Sequence, residues 1–278
     1  MKKLFDKVSE ACSKMTTQTY STSFSLGIKF LDRRLHNPIY GIYGFVRFAD
    51  EIVDSFHGYD KKELLKKFRE DTIDSIEKKI SLNPILNNFQ AVVHQYKIDW
   101  DLIDTFLKSM EMDLSEQKYD AKSYDQYILG SAEVVGLMCL KVFTEGSQPL
   151  FVELKPYAMK LGAAFQKVNF LRDISQDFNI LGRVYFPGIQ FDQFTQIDKV
   201  KIQGEIESDF YMALIGIRKL PKGSRRGVYL AYYYYRKLFN KIKDLPAEKV
   251  VNARVRIPDF EKVGLMFKSM IRLKFGML

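Results

Sequence analysis

Residues 162–187, GAAFQKVNFLRDISQDFNILGRVYFP, decide the fold of this 278-residue chain. Polar side chains recur at spacings of three, four and four, at Gln166, Asn169, Asp173 and Asp177. In a helix these positions form one stripe, and the residues between them are mostly apolar, which predicts a helix packed among others. Asp173 and Asp177 repel each other, and a buried unpaired carboxylate is costly, so we expect a cation between them. The Gly182-Arg183 step ends the helix, and residues 184–187 form a short extended exit.

A second stripe of the same kind lies in residues 43–54, YGFVRFADEIVD. Arg47, Asp50 and Asp54 share one helical face among apolar neighbours, whereas Glu51 is either a ligand or a solvent-facing residue. One DxxxD pair alone is most simply a solvated helix edge. Two pairs, each in an apolar helix with an adjacent arginine, predict a shared binding site.

Net charge and composition restrict the classes of ligand that this protein could bind. The net charge of +9 favours anionic partners, but the sequence has no zinc-finger, basic helix-turn-helix or RNP-like motif, which disfavours nucleic acid. Cys12 and Cys139 are predicted to be free thiols in a reducing cytoplasm. With only three scattered histidines, a bound metal would be a hard cation held by oxygen.

The periodicity predicts an all-α protein forming a single domain over residues 1–278. No apolar run approaches the ~20 residues that span a bilayer, the longest candidate being Val134–Leu140. The expected helices cover residues 3–15, 38–56, 61–79, 84–96, 100–116, 123–144, 150–179, 197–218, 222–243 and 258–273. Pro38 and Pro84 are each predicted to begin a helix.

Three further segments have two interpretations each. Residues 21–25 are predicted to form a hydroxyl-rich turn, which is either an anion site or a structural cap. The small residues Gly130, Ser131, Ala132 and Gly136 allow close approach of another helix or of an apolar ligand, and Glu133 among them faces a surface or an unidentified cation. The basic region from residue 225 to 243 is either a solvated helix or a peripheral contact with an anionic membrane.

Taken together, the motifs resemble those of the squalene/phytoene synthase family. The resemblance rests on residues 47–54 (RFADEIVD), 169–177 (NFLRDISQD) and 182–187 (GRVYFP), and it extends from the turn at residue 21 through residues 127–136 to the last helices. It implies an isoprenoid synthase fold, with helices around a central cavity, and Mg²⁺-dependent joining of two allylic prenyl diphosphates. Ser131-Ala132-Glu133 departs from the Val-Ala-Gly of many members, and Tyr20 and Thr22 replace a basic residue or histidine.

The resemblance also implies a role for each matching residue. The implied metal ligands are Asp50, Asp54, Asn169, Asp173 and Asp177. The implied diphosphate contacts are Ser21, Ser23, Phe24, Arg47, Gln166, Asn169, Arg172, Tyr185, Tyr235 and Arg254, with Tyr234 or Arg256 as alternatives to the last two. The implied catalytic set is Asp50, Asp54, Asp173, Asp177, Arg47 and Tyr43.

The expected activity is that of a phytoene synthase, most like the bacterial enzymes, which joins two geranylgeranyl diphosphates head to head in carotenoid biosynthesis. The alternative is a squalene, presqualene diphosphate or dehydrosqualene synthase that uses farnesyl diphosphate, with NADPH needed only for squalene. A third interpretation is a catalytically silent member acting as a binding or assembly factor. We expect a cytoplasmic monomer or weak dimer, with peripheral contact at the inner face of the membrane as an alternative.

Overall fold

The computed structural model describes residues 2–115, 118–189, 194–252, 255–258 and 264. Within these ranges the chain is helical apart from its connections and one isolated bridge between Lys118 and Val184. The helices are α1 (Lys2–Tyr20), α2 (Thr22–Lys29), α3 (Arg33–Ser55), α4 (Lys61–Lys78), α5 (Pro84–Tyr96), α6 (Trp100–Ser115), α7 (Ala121–Ile128), α8 (Val134–Phe143), α9 (Gln148–Leu181), α10 (Gln196–Lys219), α11 (Lys222–Lys243) and α12 (Ala247–Asn252). A π-helical turn, Leu129–Glu133, joins α7 to α8.

Most of the predicted helices are confirmed within a few residues, and their ends follow ordinary capping chemistry. Asn83 caps α5, which begins at Pro84 as predicted, and Thr195 forms a capping box with Asp198 at the start of α10. The long helix α9 ends at Gly182, whose φ of 68° is a left-handed conformation that glycine adopts without strain.

One predicted helix start was wrong. Pro38 lies inside α3, which begins at Arg33, because Leu35 in its first turn is buried at 1% exposure and helical packing extends upstream of the proline. Of the two interpretations of residues 21–25, the structural cap is confirmed: α2 begins at Thr22, and the Ser21 hydroxyl accepts a hydrogen bond from the Phe24 N–H at 3.2 Å. The predicted helix at 258–273 lies almost entirely outside the described residues.

The segment predicted as one helix over 123–144 is broken by the π-helical turn. There the backbone packs very closely against its neighbours, since a Cβ on Gly130 would lie 2.5 Å from Ser109 Cβ of α6. By length and composition, Ala121–Phe143 is the one helical run in the described ranges that could cross a membrane, but 61% of its most apolar window is buried inside the protein.

Helix α9 is the central element of the fold. Its 34 residues extend over roughly 51 Å and pack against α8, α10, α11, α12 and the π-helical turn. In the buried core, Phe45 of α3 stacks on Phe89 of α5 with ring centroids 4.0 Å apart. Both cysteines are free thiols, as expected.

The basic residues of the C-terminal region largely have partners within the protein. Arg225 donates to the Leu220 carbonyl at the end of α10, and Lys241 donates to the carbonyl of Arg256. Arg236 and Lys243 both pair with Glu207, at 2.6 and 3.2 Å. These contacts favour the interpretation of α11 as an ordinary helix, and membrane contact through it stays a prediction.

Two glycines of α10 provide a matched stability test. A Cβ on Gly216 would lie 2.2 Å from Tyr157 Cβ, whereas a Cβ on Gly204 meets nothing within 4 Å. Gly216→Ala is expected to destabilise the protein by about 1–3 kcal/mol through overpacking. Gly204→Ala should be neutral or stabilising by up to about 1 kcal/mol, because alanine is the better helix former. Urea unfolding of both variants checks this, and equal effects would contradict the packing described.

Candidate active site

An elongated cavity of about 870 Å³ lies between α2, α3, α8, α9, α10 and α11. Its volume is near the upper end of the range for small-molecule sites. One end is lined by charged side chains, and the rest mainly by apolar ones. The predicted site residues that line it are Ser21, Phe24, Tyr43, Arg47, Asp50, Asp54, Gln166, Asn169, Arg172, Asp173, Asp177, Tyr185 and Tyr235.

Two of the predicted site residues are not part of this lining. Ser23 is half-buried but is not among the side chains that line the cavity. Arg254 lies outside the described residues, so its role in holding a diphosphate stays a prediction. The remaining predicted residues are brought together from segments as far apart in sequence as Ser21 and Tyr235.

The first aspartate pair projects from α3. Asp50 Oδ2 accepts a hydrogen bond from Arg47 Nη1 at 2.5 Å, while Nη2 of the same guanidinium pairs with Glu51. The same guanidinium lies over the Tyr20 ring, 4.3 Å from its centroid. Glu51 therefore holds Arg47 from the side away from Asp50, and it does not line the cavity.

The second pair lies on α9 and faces the first. Arg172 Nε donates to Asp173 Oδ1 at 2.9 Å, and a second nitrogen of its guanidinium contacts the other carboxylate oxygen, so this pairing is bidentate. Burial, followed by repulsion from Asp173 and from Asp54 on α3, raises the pKa of Asp177 to about 8. The influence of Asp54 on Asp177 means that the two helices bring their carboxylates close together across the cavity.

Asp50 shows the same crowding. Its side chain is 36% exposed, and that exposure is toward the cavity it lines. Burial, followed by repulsion from Asp54, raises its pKa to about 7, although Arg47 opposes the shift. The charged end of the cavity therefore holds more carboxylate charge than its arginines neutralise, and a divalent cation is the species that would relieve it.

Sequence reasoning missed a buried cluster beneath the aspartates. Its centre is Arg183, which is only 6% exposed. Nη1 of Arg183 donates to Asp54 Oδ1 at 2.8 Å and to the Tyr185 hydroxyl at 3.2 Å. Nη2 donates to the Asp113 carbonyl at 3.0 Å. The Tyr127 hydroxyl donates to Asp113 Oδ2 at 2.7 Å. Arg183 thus holds Asp54 in place, and the Tyr185 hydroxyl, predicted as a diphosphate contact, is bound to Arg183.

Asp113 could have been found from its position in the sequence. It follows Phe106 and Met110 by seven and three residues, on the buried apolar stripe of α6. A carboxylate at such a position must have partners. Burial raises its pKa to about 6, opposed by Arg183.

Four aromatic residues, here called the aromatic wall, line the cavity next to its charged end: Phe24, Tyr43, Phe165 and Tyr235. Phe165 stacks on Tyr235 at 4.0 Å, and Phe24 contacts Tyr43 at 5.8 Å and Tyr235 at 6.1 Å. The Tyr235 hydroxyl donates to Asn169 Oδ1 at 3.3 Å. Tyr43 is hydrogen-bonded to Ser21, and burial raises its pKa to about 12, so its hydroxyl keeps its proton at neutral pH.

Glu133, the unusual residue of the small-residue segment, does not line the cavity, whereas Ser131, Ala132 and Gly136 do. The cations that act on it are Lys160 and Lys167, both of which also pair with Asp209, at 3.1 and 2.9 Å. Glu133, at which the sequence departs from the family pattern, is therefore not part of the cavity lining.

No group of three or more histidine, cysteine, aspartate or glutamate side chains within the described ranges could hold a metal ion by itself. Magnesium usually takes one or two carboxylates and completes its coordination with water and phosphate oxygens. The donor set here, two carboxylates on each of two facing helices, suits that ion when a diphosphate supplies the remaining oxygens.

The helical architecture around this cavity is an isoprenoid synthase fold, found in structures of low sequence identity. A dehydrosqualene synthase solved with a ligand matches with a TM-score of 0.82 at 21% identity, over 97% of this chain and 98% of that one. The squalene synthase HpnC from Alicyclobacillus acidocaldarius matches with a TM-score of 0.76 at 18% identity, over 89% of this chain and 96% of that one.

Residues 17–261 match the sequence model of the family described as squalene/phytoene synthase. A phytoene synthase of Arthrospira platensis is 25% identical over 95% of this chain and 93% of its own length. A 4,4'-diapophytoene synthase of Staphylococcus haemolyticus is 26% identical over 68% of this chain and 65% of its own length. The chain belongs to the squalene/phytoene synthase family, whose members are prenyltransferase-type synthases that use prenyl diphosphates.

The raised pKa of Asp177 leads to a prediction about stability. Its ordinary value is 3.8, so between about pH 4 and pH 8 the native state binds a proton that the unfolded state has lost. The Asp177 carboxylate therefore destabilises the ligand-free protein increasingly as pH rises through this window. Asp177→Asn is expected to raise Tm by a few degrees at pH 8.5 and by much less at pH 5.

Thermal unfolding at both pH values measures this difference. Glu10→Gln, which neutralises an exposed carboxylate on α1, is the control and should change Tm little at either pH. A Tm for Asp177→Asn that is unchanged or lowered at pH 8.5 would contradict the crowding of carboxylates in the cavity.

Proposed function

We propose that this protein is a phytoene synthase, which joins two geranylgeranyl diphosphates head to head through a cyclopropyl (prephytoene) diphosphate in carotenoid biosynthesis. The observation that carries the proposal is the placement of Asp50 and Asp54 on α3 opposite Asp173 and Asp177 on α9, at the charged end of one long apolar cavity. Each carboxylate pair serves one diphosphate, and the apolar part of the cavity takes the prenyl tails.

In this proposal, the four aspartates and Asn169 hold Mg²⁺, with Mn²⁺ as an alternative. When bound, the ions neutralise the diphosphate and improve it as a leaving group. The chain itself contributes Arg47 and Arg172, whose planar guanidinium groups suit bidentate contacts to phosphate oxygens. Both are already held beside the aspartates by ion pairs, so little side-chain motion is needed for them to reach a diphosphate.

The remainder of the cavity protects the reaction from water. Departure of a diphosphate leaves an allylic carbocation, which water would quench, so the second prenyl chain must reach it in a dry space. The aromatic wall lies next to the diphosphate end, and each ring face there could stabilise a nearby cation by about 0.5–2 kcal/mol. This position, between leaving group and tail, is where positive charge develops.

A second candidate is a synthase that uses farnesyl diphosphate and makes dehydrosqualene, presqualene diphosphate or squalene. It is supported by the 26% identity to a 4,4'-diapophytoene synthase and by the structural match to a dehydrosqualene synthase. The 25% identity to a phytoene synthase over almost the whole of both chains supports the first candidate. NADPH belongs only to the squalene route.

Incubation of the purified protein with Mg²⁺ and either geranylgeranyl or farnesyl diphosphate discriminates between the candidates. The proposal predicts phytoene from the longer substrate, identified by mass spectrometry, with the larger kcat/KM. Hydrocarbon formed only from farnesyl diphosphate would reject it in favour of the second candidate. Absence of product from both substrates would reject both.

Substitution of the aspartates tests their role. Asp50→Asn and Asp173→Asn are expected to lower kcat/KM by several orders of magnitude, because each removes a charged metal ligand while keeping the shape of the side chain. Thermal unfolding should show an intact fold, and Glu10→Gln on the outer face of α1 should retain full activity. Turnover within about threefold of the parent protein by either variant would exclude the metal-holding role.

We also propose a cytoplasmic protein that acts as a monomer or weak dimer. Peripheral contact with the inner face of the membrane would give access to its water-insoluble product. Co-sedimentation with vesicles containing anionic lipid measures that contact directly, and complete absence from the vesicle pellet would exclude it.

A further inference from the structure

The length of the cavity is measured by the residues of α9 that line it. They recur at helical spacing from Leu154 to Asp177, which corresponds to roughly 34 Å along the helix axis. Asp173 and Asp177 mark the diphosphate end. Leu154 and Tyr157 lie at the opposite end, together with Ile217 of α10 and Leu220, which follows that helix.

Tyr157 separates this far end from solvent. Its side chain lines the cavity, and it packs against the hydrophobic core. Outside it, Lys219 Nζ lies over the ring, 5.5 Å from the centroid. Lys219 pairs with Glu153 at 2.8 Å, and the two side chains are 44% and 51% exposed. The ring therefore has the cavity on one side and a solvated ion pair on the other.

The position of Tyr157 is set by the backbone of α10. Its Cβ occupies the space in which a side chain at residue 216 would lie, since a Cβ added to Gly216 would be 2.2 Å from Tyr157 Cβ and 2.9 Å from Cγ. Such close contact leaves the base of the side chain no room to retreat toward α10. A longer prenyl tail would have to displace the ring outward against the ion pair.

We propose that Tyr157, seated on Gly216, forms the distal wall of the substrate cavity and sets the longest prenyl tail that the enzyme accepts. This inference rests on the proposed function, because it assumes that the tails extend from the aspartates along α9. Tyr157 acts as a specificity-determining residue and touches neither the diphosphate nor the reacting carbons.

The experiment compares two substrates that differ by one isoprene unit. Because the parent protein is proposed to accept the geranylgeranyl tail, the longer member of the pair is the geranylfarnesyl tail. Binding of the unreactive geranylgeranyl and geranylfarnesyl thiolodiphosphates with Mg²⁺ is measured by calorimetry, and turnover of the two corresponding diphosphates is measured in parallel. Tyr157→Ala is expected to shift both the affinity ratio and the kcat/KM ratio toward the longer tail by roughly tenfold or more, the scale on which apolar pockets discriminate size. Tyr157→Phe, which keeps the ring, should leave both ratios within about twofold of the parent protein.

Tyr211→Ala is the matched control, because this tyrosine lies on α10 at 69% exposure and does not line the cavity. Its ratios should equal those of the parent protein. If Tyr157→Ala does not fold, Tyr157→Leu, which retains apolar packing, is measured instead, with a shift in the same direction expected.

An unchanged affinity ratio in a folded Tyr157 variant would overturn the inference, even if the parent protein converts substrate normally. Shifted affinity ratios without hydrocarbon product from any variant would support the distal wall and reject the proposed function. Equal shifts in Tyr211→Ala and Tyr157→Ala would also overturn the inference, since they would reflect a general loosening of the α9–α10 packing.

Discussion

Burial and crowding of carboxylates at one end of a cavity are the constraint on which this structure depends. Burial raises the pKa of both Asp50 and Asp177. Repulsion adds to it, from Asp54 on Asp50 within α3, and from Asp173 and then Asp54 on Asp177. This arrangement is unfavourable in the ligand-free protein, because buried charge without compensation is costly. A bound cation would compensate it. The arginines relieve only part of it: Arg47 is shared with Glu51, Arg172 is bound to Asp173, and Arg183 lies beneath Asp54.

The rest of the fold holds these two helices at the required separation. Glycines allow the backbones around the cavity to pack closely, as at Gly162, where an added Cβ would lie 2.5 Å from the Ala132 carbonyl oxygen. Asp113, which accepts a hydrogen bond from Tyr127, pairs with Arg183, and Glu51 pairs with Arg47. Charged groups are thus confined to one end, while the apolar cavity continues along α9 toward Tyr157. The crowded carboxylates lower the stability of the ligand-free protein, and they form a preformed binding site; such a cost in stability is common at functional sites.

Much of this arrangement was predictable from the sequence because it depends on periodicity. The DxxxD spacing placed each aspartate pair on one helical face, and both faces line the same cavity. Local signals were less decisive: the hydroxyl-rich segment at Ser21 allowed either an anion site or a helix cap, and Pro38, predicted to begin a helix, lies within one. The contacts of Arg183 with Asp113, and of Tyr157 with Gly216, join residues 70 and 59 positions apart (183 − 113; 216 − 157), and only tertiary packing brings them together. Family membership, shown by the match over residues 17–261, defines the chemistry more closely than the choice of prenyl chain.

The central claim is that the facing carboxylates bind a divalent cation and a diphosphate jointly. Thermal unfolding with Mg²⁺ alone, with inorganic pyrophosphate alone and with both tests it most directly, because a ligand that binds the native state raises Tm according to its affinity. The account predicts little stabilisation by either component alone and a much larger rise with both, which Asp54→Asn abolishes. A rise with both components that is no greater than the sum of the separate effects would contradict it.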